Sequence, residues 1–425
     1  MLIEQRDSLI GEINVPGDKS ISHRAIVFAS IAKGLTEIEG LLIGEDCLRT
    51  IDCFRKMNVS IDILSNNKVH VHGNGLFGLK PPTSILNTGR SGTSLRLILG
   101  ILSGQSFNSS ITRQESVIKK PVGRVVYSLK KMGASISGKD HGKYCPLQVS
   151  PSTLNGITEE LHPYDTHIKS PLLLAGLYAN GKTKVFEVAK SRDHSELMLN
   201  YFGANIKVDG LSVTSNPVEN LYGQKIIVPG DISMAAFFIT AGILTENSCI
   251  TIKNVGINPT RTGILDVYKS MGANIELLNE HDLSNEKVAD IKVSSSSLKG
   301  TIVKGEMIPT LFDEIPVIAV AATMAKGTTE IKNLKGFKIK TSGKLTSLVK
   351  ELSKMGANIR ETDDSLIIEG GIKPLKGTVV ESSNDYSTAM ALSVAGLIAS
   401  KETMVRKAQI VDVVFPEFLS TLNSL

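Results

Sequence analysis

The chain has 425 residues, 41% of them hydrophobic, with 47 basic against 42 acidic side chains, a net charge of +5 and no tryptophan. That length exceeds one ordinary domain and favours two or three, and a mean hydropathy of +0.07 excludes a disordered chain. Basic residues are scattered and aromatics few, which argues against nucleic acid as a partner and leaves small acidic substrates.

The first residues, "MLIEQRDSLI", lack the charged-then-apolar pattern of a secretory signal. Residues 15–25, "VPGDKSISHRA", predict a helix with Asp18 as N-cap. Lys19/His23 and Ser20/Arg24 are then i,i+4 pairs on one side, while Ile21, Ala25, Phe28 and Ala29 suit a core on another. Unpaired N–H groups at such a helix start, with Lys and Arg beside them, suit an anion site; the alternative is an ordinary solvated first turn. "FRKMNVSIDI" opens a pattern that returns as "LKKMGASISG", "YFGANIKV", "YKSMGANIEL" and "LSKMGANIRE". In each, an amphipathic helix ends, a glycine follows (Asn58 in the first copy) and a short strand begins. Gly133, Gly203, Gly272 and Gly356 suit the left-handed position after a helix. The copies recur at roughly 70 to 85 residues, longer than solenoid periods, so that about six units fit, the last truncated. "KVHVHG", "NSCITIKNV" and "SLIIEGG" alternate as half-buried strands do. A second "VPGD", residues 228–231, again precedes a helix-like run, and two such hinges predict two α/β domains with a ligand cleft between them. The longest apolar run, "IPVIAVAATMA", is too short to span a bilayer. Cys47, Cys53, Cys145 and Cys249 have neither metal-ligand nor disulfide spacing. A cytoplasmic protein with reduced thiols and no metal is expected.

After the opening motif, "SGTSLRLILGIL", "KKPVGRVVYSLKKMGA", "IKSPLLLAGLYANG", "SRDHSELML", "VPGDISMAAFF", "DEIPVIAVAA" and "FPEF" follow in chain order. Together they resemble the EPSP synthase family over essentially the whole length. The resemblance implies a two-domain inside-out α/β barrel (EPT/RTPC-like), each domain built of three βαβαββ units with helices inside. Domain I is expected at 1–17 plus 230–425 and domain II at 18–229, with ligands in the cleft. The implied reaction moves the enolpyruvyl group of phosphoenolpyruvate to the 5-hydroxyl of shikimate 3-phosphate and releases phosphate, in aromatic amino acid biosynthesis. The resemblance implies no cofactor and no metal, and a monomer is expected, with no membrane partner.

The resemblance also implies roles. Ser20 and Arg24 hold the ring carboxylate and Lys19 reaches phosphate. Asp313 contacts ring hydroxyls as the candidate base, and Lys340 stands beside the reacting hydroxyl. Ser191 and Arg192 lie near the ring phosphate, Thr166 joins the substrate-binding set, and Arg96 and Arg124 are structural.

Other positions depart from the family pattern. Where the family has Arg-Val-Lys-Glu-Ser-Asp-Arg, this chain has Lys338 to Lys344. Thr341 replaces the proton-shuttling glutamate, and Lys344 replaces an arginine, keeping charge but losing the bidentate fork. Tyr386 and Ser387 stand where His-Arg is usual, Val413 where a lysine is, and Lys120 where a phosphate-binding arginine is. Arg90 replaces Asn, His167 replaces Gln, and Asp165 replaces a serine. Most of these changes fall on phosphoenolpyruvate contacts, each worth on the order of 2–4 kcal/mol, so an impaired family reaction is expected. Asp165 is expected to repel a ring phosphate. Arg90, Lys120 and Lys344 form a candidate second anion site. His167 is either a new acid/base or a hydrogen-bonded stand-in for Gln, and Tyr386 fills space. Two alternatives stay open: a divergent paralogue in secondary metabolism that acts as a lyase, by elimination or dehydration on a shikimate-type ring without phosphoenolpyruvate, and a non-catalytic binding protein.

Overall fold

Among the described residues of the computed structural model, six helices are buried on nearly every face and largely apolar: Lys19–Ser30, Gly92–Leu102, Lys169–Gly176, Ile232–Leu244, Ile315–Met324 and Tyr386–Leu397. Such helices cannot lie at a surface and must be enclosed. The structure describes residues 1–425 except 65–66, 163–164, 166 and 337–342. Between the apolar helices run shorter ones with a single buried stripe, such as Glu45–Lys56, Gly123–Lys131 and Lys344–Lys354.

Six sheets accompany the six apolar helices, five of four strands and one of three. They share a pairing order. Leu86–Asn87 runs parallel to Ser109–Thr112, which runs antiparallel to Tyr144–Ser150, whose other neighbour is Ser135–Gly138. The same sequence of pairings joins Ile302–Val303, Gly327–Ile331, Leu366–Gly370 and Asn358–Glu361. In the three-stranded sheet Val379–Glu381 is parallel to Thr403–Arg406, and the chain's own start, Leu2–Ile3, supplies the antiparallel neighbour. This last unit is the truncated one.

The chain divides into two compact units. Unit 1 comprises Met1–Pro16, Pro229–Asp282 and Lys287–Leu425, and unit 2 comprises Gly17–Val228 and Leu283–Glu286. Each has its own hydrophobic core and holds three of the apolar helices. The first passage between units falls within the first "VPGD". A side chain at Gly17 would meet the Gly40 carbonyl oxygen at 2.0 Å, so only glycine fits there. In unit 1 the "FPEF" segment packs Phe415 and Phe418 against Phe238.

The repeated helix ends close as their sequence suggests. Gly133 has φ +100°, and the amide of Ala134 after it donates to the Leu129 carbonyl in the last turn of the helix. Asn58, at φ 66°, takes the same place in the first copy. The Lys19–Ser30 helix departs from expectation. It is buried from Ile21 through Ser30 on all sides, His23 and Arg24 included, so its polar side is interior too. Among the described residues no helix is long and apolar enough to cross a membrane, and no cluster suits a metal ion. All four cysteines are free, and Cys249 alone is exposed.

Candidate active site

In unit 2, Asp18 caps the Lys19–Ser30 helix by accepting from the Ile21 amide at 2.8 Å. Lys19 pairs with Asp46 at 2.5 Å. One turn on, Arg24 is 8% exposed. Its Nε donates to Ser195 Oγ at 2.7 Å, its Nη2 to Ser170 Oγ at 3.0 Å and its Nη1 to the Ser20 carbonyl at 3.0 Å. Burial pushes this guanidinium down to about 10, partly countered by Glu196, so it is charged at neutral pH. Ser20 contributes its carbonyl here, and its hydroxyl is half-buried at the helix start.

The serines that aim Arg24 are held by their sequence neighbours. Lys169, 1% exposed, bridges Glu196 at 2.6 Å and Glu187 at 3.0 Å. Glu187 also accepts the Ser191 hydroxyl. Burial raises the Glu196 carboxyl, against the pull of Lys169. One buried lysine thus ties together the helix carrying Ser195, the helix carrying Ser170 and the loop carrying Ser191 and the half-buried Arg192. Sequence reasoning missed this lysine. Its signal was a charged residue within the otherwise apolar "IKSPLLLAGL", a position where a cation needs buried carboxylates.

His23 serves structure. Its Nδ1 meets Thr50 Oγ1 at 3.0 Å and Ser94 Oγ at 3.2 Å, and its Nε2 meets Ser91 Oγ at 3.3 Å. Burial, reinforced by Lys19, lowers it to about 3, so it is neutral. Asp165 is buried, and its carboxylate pairs at 3.0 Å with Arg124, whose side chain is 62% exposed. The charge expected to repel a ring phosphate therefore carries its own cation. His167 is half-buried, and Arg90 and Lys120 are exposed. Thr166 lies outside the described residues.

In unit 1, Asp313 is exposed at the start of the Ile315–Met324 helix, and its neighbour Glu314 is buried. Glu314 accepts from Ser233 at 2.5 Å; Arg261 donates to Ser233 at 2.7 Å and pairs with Asp231 at 3.2 Å. This network ties the second "VPGD" to the helix that follows Asp313; sequence reasoning missed Arg261, which no motif marks. Lys344 pairs with Asp385, which caps the Tyr386–Leu397 helix through the Thr388 amide at 3.1 Å and accepts the Ser387 hydroxyl at 2.7 Å. Burial pushes the Asp385 carboxyl up, but Lys344 and the hydroxyls outweigh it and hold it below the usual range. Tyr386 is half-buried; burial raises its phenol, and Asp313 and Asp231 raise it further, so it is a neutral hydrogen-bond donor. Val413 packs against the core. Lys338, Lys340 and Thr341 lie outside the described residues. The candidate second anion set is divided, with Arg90 and Lys120 in unit 2 and Lys344 in unit 1 on a carboxylate.

Residues 3–422 match the family model of EPSP synthase (3-phosphoshikimate 1-carboxyvinyltransferase). The chain belongs to the EPSP synthase family. It is 49% identical over 424 residues to the 3-phosphoshikimate 1-carboxyvinyltransferase of Thermoanaerobacter sp. (strain X514), covering 100% of this chain and 99% of that one. It is 45% identical over 418 residues to the protein of the same name from Bacillus subtilis (strain 168), covering 98% and 97%. EPSP synthase from Acinetobacter baumannii superposes with a TM-score of 0.92 at 38% identity, over 100% of this chain and 97% of that one. The α/β fold of repeated units described above is the fold of this family.

Proposed function

We propose that the protein is a carboxyvinyltransferase that moves the enolpyruvyl group of phosphoenolpyruvate to shikimate 3-phosphate, with a weakened hold on the donor's carboxylate. The observation that carries this reading is the buried Arg24 guanidinium, aimed by Ser170 and Ser195. A planar fork of this kind matches a ring carboxylate. Ser191 and Arg192 serve the ring phosphate, and Arg124, by pairing with Asp165, removes the repulsion that carboxylate would exert on it. Asp313 takes the proton of the attacking 5-hydroxyl. The oxygen adds to the donor's central carbon as its methylene gains a proton, and loss of that proton with phosphate restores the double bond. Thr341 cannot shuttle this proton, and His167 is the candidate that does. On the donor side, Lys344 is engaged by Asp385 and Ser387 by the same carboxylate, so neither is poised for the donor's carboxylate and a raised KM for phosphoenolpyruvate is expected.

The test is phosphate release from shikimate 3-phosphate plus phosphoenolpyruvate, with mass detection of the enolpyruvyl adduct. Arg24→Met should lower kcat/KM for shikimate 3-phosphate by roughly 100-fold, the loss typical of a buried charged contact. No release at saturating substrates, with a mass change of shikimate incubated alone, would overturn the reading in favour of elimination.

A further inference from the structure

The His194–Tyr201 helix of unit 2 opens with three polar residues, His194, Ser195 and Glu196, all of them buried. Each is engaged. Ser195 Oγ accepts from Arg24 Nε at 2.7 Å and donates to Ser170 Oγ at 2.7 Å. Glu196 holds Lys169 at 2.6 Å. His194 Nδ1 meets Glu286 Oε1 at 2.7 Å, and both side chains are 2% exposed. Half-buried Arg192 stands two residues ahead of His194. Asp193, at the N-cap, gives this helix no side-chain cap; its carboxylate faces Lys190 at 3.6 Å. The start of the helix is therefore fixed by what its first side chains hold.

Glu286 arrives on a turn of fixed shape. The strands Asn274–Leu283 and Glu286–Ser294 are joined by Ser284 and Asn285. Both are left-handed, at φ 50° and 65°, as a two-residue hairpin turn matched to strand twist requires. Ser284 Oγ accepts from the Ile227 amide at 3.0 Å, and Asn285 Nδ2 donates to the Leu197 carbonyl at 3.4 Å. Leu283–Glu286 belong to unit 2, and they grip the His194–Tyr201 helix at two places, His194 and Leu197.

The two buried histidines His23 and His194 differ in what surrounds them. His23 has hydroxyls at both ring nitrogens, whereas His194 Nε2 is enclosed with no partner. A carboxylate accepts, so the His194 proton sits on Nδ1; on Nε2 it would find no acceptor. Glu286 thus selects one tautomer and one ring orientation. Its charge also reaches the neighbouring guanidinium: burial lowers Arg24, and Glu196, Asp18 and, least, Glu286 act against that. We infer that Glu286, through the Nδ1–H of His194, is a positioning residue for the grip on the ring acid. It fixes the turn of helix from which Ser195 aims Arg24 and ahead of which Arg192 stands. The role of Glu286 rests on the transferase reading above, in which Arg24 holds the ring carboxylate.

The experiment titrates the full chain with shikimate 3-phosphate, and separately with shikimate, by calorimetry. Heteronuclear NMR of the imidazole nitrogens reads the tautomer, the His194 signal being the one lost in His194→Gln. Wild type should show the Nδ1–H form. Glu286→Gln keeps an acceptor at the same reach and should keep that signature, with affinity within about threefold of wild type. Glu286→Met should lose the signature and bind shikimate 3-phosphate about tenfold more weakly, the scale of one buried charge-assisted hydrogen bond. Its KM for shikimate 3-phosphate should rise while that for phosphoenolpyruvate stays. Glu286→Asp, one methylene shorter, should fall between them and covers the case in which Glu286→Met fails to fold. A glutamate that only pins the turn gives a lower melting point with affinity within about twofold of wild type. That result would overturn the inference, as would Glu286→Gln binding as weakly as Glu286→Met. Binding and turnover of shikimate 3-phosphate that are indifferent to Glu286 keep the transferase reading and remove the role of Glu286. Binding of shikimate but not of shikimate 3-phosphate, weakened in Glu286→Met, keeps that role and removes the transferase reading. A wild type that binds neither acid removes both.

Discussion

The two units repeat one architecture but hold charge differently along their buried helices. Both open a helix with an aspartate cap, Asp18 in unit 2 and Asp231 in unit 1; beyond the caps, unit 1 adds Glu314 and Asp385 at helix starts, whereas unit 2 carries Arg24, Arg96 and Lys169 on its helices. The partners differ as well. In unit 1, Asp231 has Arg261 and Asp385 has Lys344. A helix start already favours negative charge, so the carboxylates of unit 1 complete their helices from within. In unit 2, Lys169 is neutralised by Glu187 and Glu196, while Arg24 is held by uncharged hydroxyls. The comparison teaches that one shared fold carries two ways of holding buried charge.

Lys169 gives the largest way to break this contrast, because it is a fully buried cation neutralised by two buried carboxylates. Lys169→Met strands Glu187 and Glu196 and should cost about 3–5 kcal/mol in urea unfolding. Adding Glu187→Gln and Glu196→Gln should recover much of that loss; equal stability of the single and triple variants would refute the account. His23 sharpens the contrast through pH. Its folded value, about 3, lies below the ordinary 6.5, so the unfolded chain takes up the proton first. The stability it contributes is complete above the ordinary value and is lost as pH falls toward the folded one, by up to about 1.4 kcal/mol per pH unit. His23→Gln should flatten the decline of Tm on acidification across that window, and an unchanged slope would count against it. The smallest effect is in unit 1. Lys344→Arg restores a fork able to serve Asp385 and a donor carboxylate together, and KM for phosphoenolpyruvate should fall about threefold, by under 1 kcal/mol; a KM that stays or rises would show that Lys344 is not a donor contact.

Much of the fold was legible because its signals are local and repeated. The Gly133-type helix ends, the alternating strands and the paired "VPGD" segments depend on neighbours within a few residues, and ordered motifs carried the family. The chemistry of single residues was less legible because it depends on what folding brings beside them. Asp165 read as a repulsive charge until Arg124, 41 positions away, supplied its counterion. His23 looked available for chemistry, but the whole helix is enclosed.

The strand pairings of the first sixteen residues bear on how the protein is made. Ile10–Ile13 lies along Cys249–Gly256, and Leu2–Ile3 lies along Thr403–Arg406. Each of these segments is synthesised well before the strand it lies along and must wait for that strand before its place exists. All but four residues of unit 2 emerge in one uninterrupted stretch, Gly17–Val228, so its core can assemble during synthesis. Unit 1 can close its sheets only after Thr403–Arg406 has been made, around a segment synthesised long before.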